Sequence, residues 1–215
     1  MIPAKQKNLP QRHPPRFELI AGALCLDFIN TLDDRFSDEP KELLKSYSDL
    51  ARFGEDAGIL SDAQADQLFQ RSLQSPAPAR RALAAAIEMR EAMHAVFWAL
   101  VQKKPVPKAQ LMILNSYAQE SARHMSLVPT NGHFEWKFDD VGNEFDAPLW
   151  PIARSAAELL RADQLEFVRA CASKTCEWLF LDESKNHGRR WCDMAKCGNR
   201  AKVSSFYKRK KDASG

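Results

Sequence analysis

Long apolar segments are missing from this sequence. No window reaches the roughly eighteen consecutive apolar residues that a membrane-spanning helix requires. The start, MIPAKQKNLPQRHPPRF, lacks the apolar core of a signal peptide. We therefore expect a cytoplasmic protein with no membrane partner. In that reducing compartment, clustered cysteines are more often metal ligands or redox groups than structural disulfides.

The residue sets of common active sites are also missing. There is no Gly-rich phosphate-binding loop and no Ser-His-Asp set. The five histidines are scattered along the chain: His13, His94, His124, His133 and His187. Internal repeats and low-complexity tracts are absent as well. These absences argue against hydrolases, nucleotide-binding folds and repeat proteins, and we predict that the chain is not an enzyme.

What is present is the composition of a globular protein. Of 215 residues, 45% are apolar and 27% are charged, and twelve phenylalanines and five tryptophans are spread along the chain. Such a chain has enough apolar surface to bury a sizeable core, which argues against wholesale disorder. The length fits either one large domain or a medium domain with a small module, and we expect the second arrangement.

Positive charge is concentrated near the C-terminus. Between Lys185 and Lys211 there are ten basic residues and one acid, Asp193, which gives a local net charge of +9. Because the whole chain carries only +3, the remainder carries a net charge of −6. This asymmetry indicates a polyanionic partner, either nucleic acid or an anionic membrane surface, whereas a solvated charged tail is the alternative.

Local patterns predict an α+β fold in three parts. Residues 1–16 form a flexible arm, residues 17–163 a mostly helical domain with a small β-hairpin, and residues 165–211 a small separate module. Helices are predicted within residues 41–60, 61–73, 79–104, 107–123 and 148–163, whereas residues 17–35 mix helix and strand signals. Ser61 is the expected N-cap of the second helix. Alternating Phe134, Trp136 and Phe138 after an Asn-Gly turn predict the hairpin.

Four cysteines form two pairs in the C-terminal module, with the spacing C-x4-C-x15-C-x4-C: Cys171, Cys176, Cys192 and Cys197. Two close pairs of soft ligands suit tetrahedral zinc, because each pair can span one edge of the tetrahedron. A module of about 45 residues is also too small to fold well on its own core. We predict one structural Zn²⁺. Two disulfides or catalytic thiols are the alternatives, and His187 could replace one cysteine as ligand.

The segment between the two cysteine pairs has a hairpin pattern. EWLFLDESKNHGRRW predicts two short strands that meet over the metal. The module would then be a treble-clef-like unit of knuckle, β-hairpin and helix. The fifth cysteine, Cys25, is expected to be a small core residue.

This module resembles the CGNR zinc-finger family, which is named for the tetrapeptide found here at residues 197–200. The resemblance includes W-L-F-x-D at 178–182, R-R-W-C-x-M at 189–194 and K-V at 202–203. Upstream, L-D-F-x-N-T at 26–31 is similar to the ABATE domain that usually accompanies this finger. Together these resemblances imply a bacterial, stress-responsive transcription regulator with a zinc-dependent nucleic-acid-binding C-terminus. They imply no ligand for the N-terminal domain.

Helical winding of residues 200–211 predicts a helix with two different faces. Val203, Phe206 and Tyr207 form an apolar stripe that would face the module, and Asn199 would cap the helix after a tight turn at Gly198. The opposite face is basic and polar and contains no acid. With two arginines of the predicted hairpin, it makes up the predicted DNA-contact surface: Arg189, Arg190, Arg200, Lys202, Ser204, Ser205, Lys208, Arg209 and Lys211.

A polar cluster interrupts the apolar segment near the N-terminus. Asp27, Asn30 and Thr31 would share one helical face, where they could either hold a ligand or satisfy hydrogen bonds in the core. Together with Asp33 and Asp34 they could also line an enzyme pocket. That enzyme hypothesis is the least favoured.

The leading hypothesis is a regulator that binds double-stranded DNA through the zinc module, mainly by neutralising phosphates. Its N-terminal domain would sense a small-molecule effector or mediate oligomerisation. The alternative is a zinc-stabilised module that binds protein or RNA. A module this small would bury only about 600 to 1,000 Å² on DNA, so useful specificity favours a homodimer or a second protein.

Overall fold

The computed structural model describes residues 17–139 and 141–212, and within the last helix it describes side chains at 199–204 and at Tyr207. The predicted arm, residues 1–16, lies outside this part. The helices are α1 (Leu24–Ile29), α2 (Tyr47–Asp56), α3 (Asp62–Gln74), α4 (Pro76–Val101), α5 (Lys108–Arg123), α6 (Leu149–Arg161) and α7 (Asn199–Asp212). None of these described helices is long and apolar enough to cross a membrane.

The strands form three small antiparallel sheets of two strands each. They are β1 (Leu32–Asp33) with β2 (Lys41–Glu42), β3 (Met125–Thr130) with β4 (His133–Phe138), and β5 (Val168–Ala170) with β6 (Leu179–Leu181). The predicted fold class, α+β with a mostly helical N-terminal part and a small module after it, is therefore confirmed.

Helix starts follow local capping signals. Ser61 caps α3 as predicted: its hydroxyl accepts a hydrogen bond from the Gln64 N–H at 3.3 Å, and its own N–H donates to the Gln64 side chain at 2.9 Å. The helix predicted from residue 41 begins instead at Tyr47, because Ser46 and Asp49 form another capping box. The residues before it are extended, and β2 pairs with β1.

The core lies where α1, α2, α4 and α6 meet. α4 is the longest helix, and Met89, Met93 and Phe97 lie on its fully buried face at helical spacing. The short helix α1 packs against α4 and α6, and its residues Cys25 and Leu26 have no exposed surface. Cys25 is therefore a core residue, as predicted. Polar groups next to α1 must find their partners within the protein.

β3 and β4 form the predicted hairpin and are paired along their whole length. Asn131 and Gly132 connect them with φ values of 46° and 88°. Positive φ at both central residues defines a type I′ turn, whose twist matches that of the two strands. Five of the six residues of β4 are exposed, so the hairpin projects from the core.

Strand pairing in the C-terminal module differs from the prediction. β6 pairs with β5, which precedes the first cysteine, and the predicted second strand before Cys192 is absent from the described residues. Cys171 and Cys176 therefore lie in the loop of the β5–β6 hairpin. The chain after β6 folds back through turns because the buried carboxylate of Asp182 accepts a hydrogen bond from the Arg189 N–H at 2.8 Å.

The module packs directly against the N-terminal helices. One continuous hydrophobic core contains residues of both, and every residue of β6 is buried in it. The Leu181 N–H donates to the Ala21 carbonyl at 2.7 Å. Gly22 follows with a φ of 81°, and a Cβ there would lie 3.2 Å from Leu181 Cβ, so both conformation and space favour glycine. The domain boundary near residue 164 stays a prediction, but the described residues on its two sides share a core.

Candidate metal centre and nucleic-acid interface

The four cysteines of the module converge on one point. Their sulfur atoms all lie within 4.8 Å of one another, and all four residues are buried. Cys192 Sγ lies 3.5 Å from Cys176 Sγ and 3.8 Å from Cys197 Sγ. In a tetrahedral site with Zn–S bonds of about 2.3 Å, neighbouring sulfurs are about 3.8 Å apart. The cluster therefore has the dimensions of a tetrahedral four-sulfur metal site.

Backbone hydrogen bonds position the first cysteine pair. The Cys171 N–H donates to the Trp178 carbonyl at 2.8 Å, which extends the β5–β6 ladder by one residue into the loop. The Ala172 N–H donates to the Arg190 carbonyl at 2.8 Å and so joins this loop to the chain that leads to the second pair. The two pairs are therefore held together by main-chain bonds as well as by any metal.

The second pair is closed by an unusually wide turn. Cys197 lies in a single π-helical turn, Met194–Gly198, and Asp193 caps this turn by accepting a hydrogen bond from the Ala195 N–H at 2.6 Å. Gly198 leaves room for the Met194 side chain, which is exposed and flexible and would have to move aside for a Cβ at this position. The tight turn predicted at Gly198 is thus replaced by a π-helical turn, in which Gly198 has no positive φ. α7 begins directly after this turn.

The pKa shifts of the four thiols indicate what the cluster would bind. Hydrogen bonds from Cys176 and Cys192 lower the pKa of Cys171. Their hydrogen bonding with Cys171 raises the pKa of both donors, and burial raises that of Cys197. Neighbouring thiols thus share their protons through hydrogen bonds, and a cation between the sulfurs would favour release of those protons. Zn²⁺ fits this donor set, and four sulfurs would leave it no open coordination position.

His187, the predicted alternative ligand, lies outside the cluster. Its Nδ1 is 2.7 Å from the Asp182 carbonyl oxygen, and its ring stacks on Phe167 with the centroids 3.7 Å apart. These contacts hold the tip of the segment after β6. Among the described residues, the metal site is thus made of cysteines alone.

Part of the predicted DNA-contact surface is exposed next to this centre. Arg200, Lys202 and Ser204 are exposed on the first turns of α7, and Arg190 is exposed in the preceding segment. The Arg200 guanidinium donates to the Thr175 hydroxyl at 3.2 Å, so it lies beside the loop of the first cysteine pair. Four further predicted contacts have side chains outside the described residues: Ser205, Lys208, Arg209 and Lys211.

Arg189 is placed differently from the other arginines. Its Nε donates to the Trp191 carbonyl at 2.9 Å, a second nitrogen donates to the Cys192 carbonyl, and its guanidinium lies 4.7 Å from the centre of the Phe180 ring. These contacts tie the chain before the second cysteine pair to β6. Arg189 thus has a structural role, and its contact with nucleic acid stays a prediction.

Two predictions about α7 are wrong. Val203 and Tyr207 are 54% and 65% exposed, so they do not pack on the module, and the side chain of Phe206 lies outside the described residues. The helix is about 21 Å long at 1.5 Å per residue and extends past a module built from three-residue strands. Asn199 does not cap the start of α7: its Nδ2 donates backwards to the Ala195 carbonyl at 2.9 Å, because α7 continues from the π-helical turn without a free N-terminus.

The N-terminal polar cluster does not converge on one pocket. α1 ends at Ile29, so Asn30 and Thr31 follow the helix and do not share a face with Asp27. Asp27 Oδ1 accepts a hydrogen bond from the Ala21 N–H at 2.8 Å, which closes the turn before α1. Burial raises the pKa of Asp27 to about 6, although the backbone hydrogen bonds oppose this shift.

Asn30 joins the N-terminal helices to the zinc module. Its Nδ2 donates to the Leu179 carbonyl at 2.9 Å, and its Oδ1 accepts from the Leu179 N–H at 3.1 Å. Both residues are buried. The amide thus pairs with the outer edge of β6 as a neighbouring strand would. This buried pair, between residues 149 apart, connects the module to the residue that directly follows α1.

A buried arginine that the sequence analysis missed organises the same region. Arg90 is 1% exposed and donates to both oxygens of Glu42 at 2.6 Å, to Glu91 at 2.9 Å and to the Thr31 hydroxyl at 3.2 Å. The available signal was its position beside Met93 on the apolar face of α4, where a guanidinium needs partners.

A cleft of about 190 Å³ lies between the N-terminal region and the metal centre. Asp33 and Asp34 line one side of it, and Lys196 and Arg200 line the other. Asp33 also accepts a hydrogen bond from Trp178 Nε1 at 2.8 Å. Of the five residues of the hypothetical enzyme pocket, these two aspartates line the cleft, and the other three are engaged in the bonds described above.

Comparison with known families agrees with this arrangement. A profile of the ABATE family, described as a putative stress-induced transcription regulator, matches residues 22–163, about two thirds of the chain. A CGNR zinc-finger profile matches residues 168–210, which include all four clustered cysteines. No curated protein matches the chain significantly. The helical core with its Asn30 connection and the four-cysteine centre thus correspond to two recognised units in this order, and the chain belongs to the ABATE family and carries a CGNR zinc finger.

Proposed function

We propose that this protein is a transcription regulator that binds double-stranded DNA through its zinc finger, with one structural Zn²⁺ held by the four clustered cysteines. The observation that carries the proposal is the exposure of Arg200, Lys202 and Ser204 on a helix that begins at the cysteine cluster. Exposed positive charge and hydroxyl donors suit phosphate oxygens. Membership of a family of transcription regulators supports DNA as the polyanion.

Zinc would set the direction of α7 relative to the rest of the finger. The last cysteine of the cluster lies two residues before Asn199, the first residue of α7. Arg200 adds a contact to the loop that carries the first cysteine pair. With zinc in place, the basic face is presented in a fixed orientation, which lowers the conformational entropy lost on binding. In this role the metal orders the finger and takes no part in a reaction.

The N-terminal helices would sense a small-molecule effector or mediate assembly. The cleft between Asp33 and Arg200 supports the first role, because it is lined by both the N-terminal region and the finger. A molecule bound there would contact the base of α7. The enzyme hypothesis is weaker, because Asp27, Asn30 and Thr31 each bond to a different part of the protein.

The test is a salt titration of DNA binding by fluorescence anisotropy, with zinc-loaded protein and matched duplexes. If about five basic side chains each contact a phosphate, a plot of log K against log salt has a slope of about −4 to −5, at −0.9 per contact. Lys202→Ala should flatten the slope by about one unit on every sequence. Arg200→Ala, if Arg200 also reaches a base edge, should additionally relax specificity at one position. Lys108→Ala, at an exposed lysine on α5, is the matched control and should change neither quantity.

The exposed side chains of Val203 and Tyr207 favour a second candidate function, a finger that binds protein or RNA. Competition separates the candidates. Binding to duplex DNA that single-stranded RNA fails to displace supports the DNA regulator. A flat salt slope, or binding unchanged by joint loss of Arg200 and Lys202, would mean that the basic face is solvated surface, and the interaction module would then be the better account.

A further inference from the structure

The β3–β4 hairpin has one apolar face, and that face is exposed. The pairing places Leu127 opposite Trp136 and Pro129 opposite Phe134. Leu127, Phe134 and Trp136 are 52%, 66% and 57% exposed. With about 150 to 250 Å² for a whole aromatic side chain, the three expose roughly 350 Å² of apolar surface. This is the size of the largest apolar patch on a typical soluble monomer, and such a patch is often functional.

The outer edge of β4 is also unpaired in the described residues, where the hairpin is a sheet of two strands. The type I′ turn fixes which groups point outward. It makes Thr130 and His133 a hydrogen-bonded pair, and such pairs alternate along an antiparallel ladder. The N–H and C=O groups of Phe134, Trp136 and Phe138 therefore point away from β3. A two-stranded hairpin is marginally stable in water and gains from further strands.

The sequence of β4 is complementary to itself when read antiparallel. A twofold axis at Trp136 sets the Trp136 of one chain opposite the Trp136 of another. Phe134 then lies opposite Phe138, and Glu135 lies opposite Lys137 of the other chain. In this register the outward-pointing backbone groups of both chains meet as hydrogen-bonded pairs, while each Glu135–Lys137 contact is a non-hydrogen-bonded pair, in which side chains lie closest.

We propose that the protein forms a symmetric homodimer by pairing β4 with β4 of a second copy into a four-stranded sheet. The pairing joins aromatic side chains on one face and two Glu135–Lys137 ion pairs on the other. It supplies the assembly role that the proposed function left open, and it stands whether or not the finger binds DNA. The contact is a small one, so we expect a reversible dimer with a dissociation constant on the order of micromolar.

Sedimentation velocity of the zinc-loaded full chain tests the dimer. The mass should rise from 24.4 kDa toward twice that value as the concentration passes through the micromolar range. Lys137→Glu and Glu135→Lys each place like charges opposite each other twice, and each should weaken dimerisation roughly tenfold or more. The double variant that exchanges the two charges should restore it. Lys108→Glu, with the same charge change on α5, should dimerise like the wild type.

Mixing the two single variants is the decisive experiment. One chain then carries lysine at both positions and the other carries glutamate at both, so a heterodimer regains two ion pairs. Heterodimers from two variants that are monomeric alone would support the proposal and exclude misfolding as the cause of their monomeric state. A wild type that stays monomeric up to about 100 μM, at least ten times the expected dissociation constant, would overturn the dimer. The apolar face would then have another occupant, either residues 1–16 or a different protein. Dimers insensitive to both charge reversals would also overturn it, because the interface would lie elsewhere.

Discussion

Removal of the Asn30 side chain tests how the zinc module is joined to the N-terminal helices. Asn30→Ala removes the partners of two buried backbone groups, the N–H and the carbonyl of Leu179. Each buried group left without a hydrogen bond costs about 1 to 3 kcal/mol, so we expect a loss of roughly 2 to 5 kcal/mol in the free energy of unfolding. For a chain of this length, 1 kcal/mol corresponds to a shift of about 2 to 4 °C in Tm.

Urea unfolding of zinc-loaded protein, followed by far-UV circular dichroism, measures this loss. Asn115→Ala, at an exposed position on α5, is the control and should change stability by less than about 0.5 kcal/mol. Asn30→Asp sharpens the test, because a carboxylate can still accept from the Leu179 N–H but cannot donate to its carbonyl. At neutral pH it should be at least as destabilising as Asn30→Ala, since it also buries a charge.

Equal stabilities of Asn30→Ala and Asn115→Ala would refute the reasoning, because the two buried bonds would then contribute nothing. A variant with unchanged stability that loses a detectable reaction would revive the enzyme hypothesis.

Three further changes have expected outcomes. Cys197→Ser should lose most of its zinc, measured by inductively coupled plasma mass spectrometry, and its finger should unfold. The control Cys25→Ser should keep its zinc, because Cys25 lies in the core away from the cluster. Arg90→Met should lower the free energy of unfolding by about 2 to 4 kcal/mol in urea, since it leaves a partly buried carboxylate without its bidentate partner. Asp27→Asn should make the free energy of unfolding fall more steeply as the pH is lowered from 6.5 to 4. The substitution removes the Asp27 carboxyl, whose proton uptake in the folded state offsets the loss of stability caused by His94.

The sign of the pH effect follows from two buried groups. Burial lowers the pKa of His94 from 6.5 to about 4, so between these values the unfolded chain binds more protons and stability falls as the pH falls. Burial raises the pKa of Asp27 from 3.8 to about 6, so in that window the folded chain binds more protons and stability rises as the pH falls. Because a tenfold change in proton affinity corresponds to about 1.4 kcal/mol, each group contributes at most about 3 kcal/mol, and the two contributions largely offset each other.

Each of these three predictions can be contradicted by one result. Full zinc content in Cys197→Ser would contradict the four-cysteine centre. Arg123→Met, at an exposed ion pair on α5, is the control for Arg90→Met, and equal losses in the two would deny the buried arginine its role. Zinc release at low pH affects the wild type and the variant alike, so the test is the difference in unfolding free energy between Asp27→Asn and the wild type. If that difference does not change between pH 4 and pH 6, the raised pKa of Asp27 is rejected.

Sequence reasoning succeeded where structure depends on neighbouring residues. The capping box of Ser61 and Gln64 lies within four residues, and the hairpin depends on an Asn-Gly turn between alternating strands. The grouping of the cysteines depended on spacing alone, and the structure brings all four together. Such signals act over one turn or one loop, where chain geometry leaves few alternatives.

The failures concern contacts between distant parts of the chain. The sequence predicted that β6 pairs with the segment just before Cys192. In the structure β6 pairs instead with the earlier strand β5, and its other edge bonds to the Asn30 side chain. Val203 and Tyr207 have helical spacing, which indicates a shared face but not whether anything covers it. The sequence analysis left Asn30 open between a ligand site and hydrogen bonds in the core, and it assigned no role to Arg90, because the partners of both lie far away in the sequence.

The long sequence separation between Asn30 and Leu179 sets an order for events during synthesis. A ribosome that adds about 5 to 20 residues per second needs roughly 7 to 30 s to make the intervening 149 residues. Until then α1 is without the strand that satisfies its Asn30 amide and covers part of its apolar surface. The nascent N-terminal helices therefore pass through an incomplete state that ends only when the finger emerges and closes over them. If the finger needs the proposed zinc to close, the supply of that metal would set how long the newly made core stays open to chaperones and proteases.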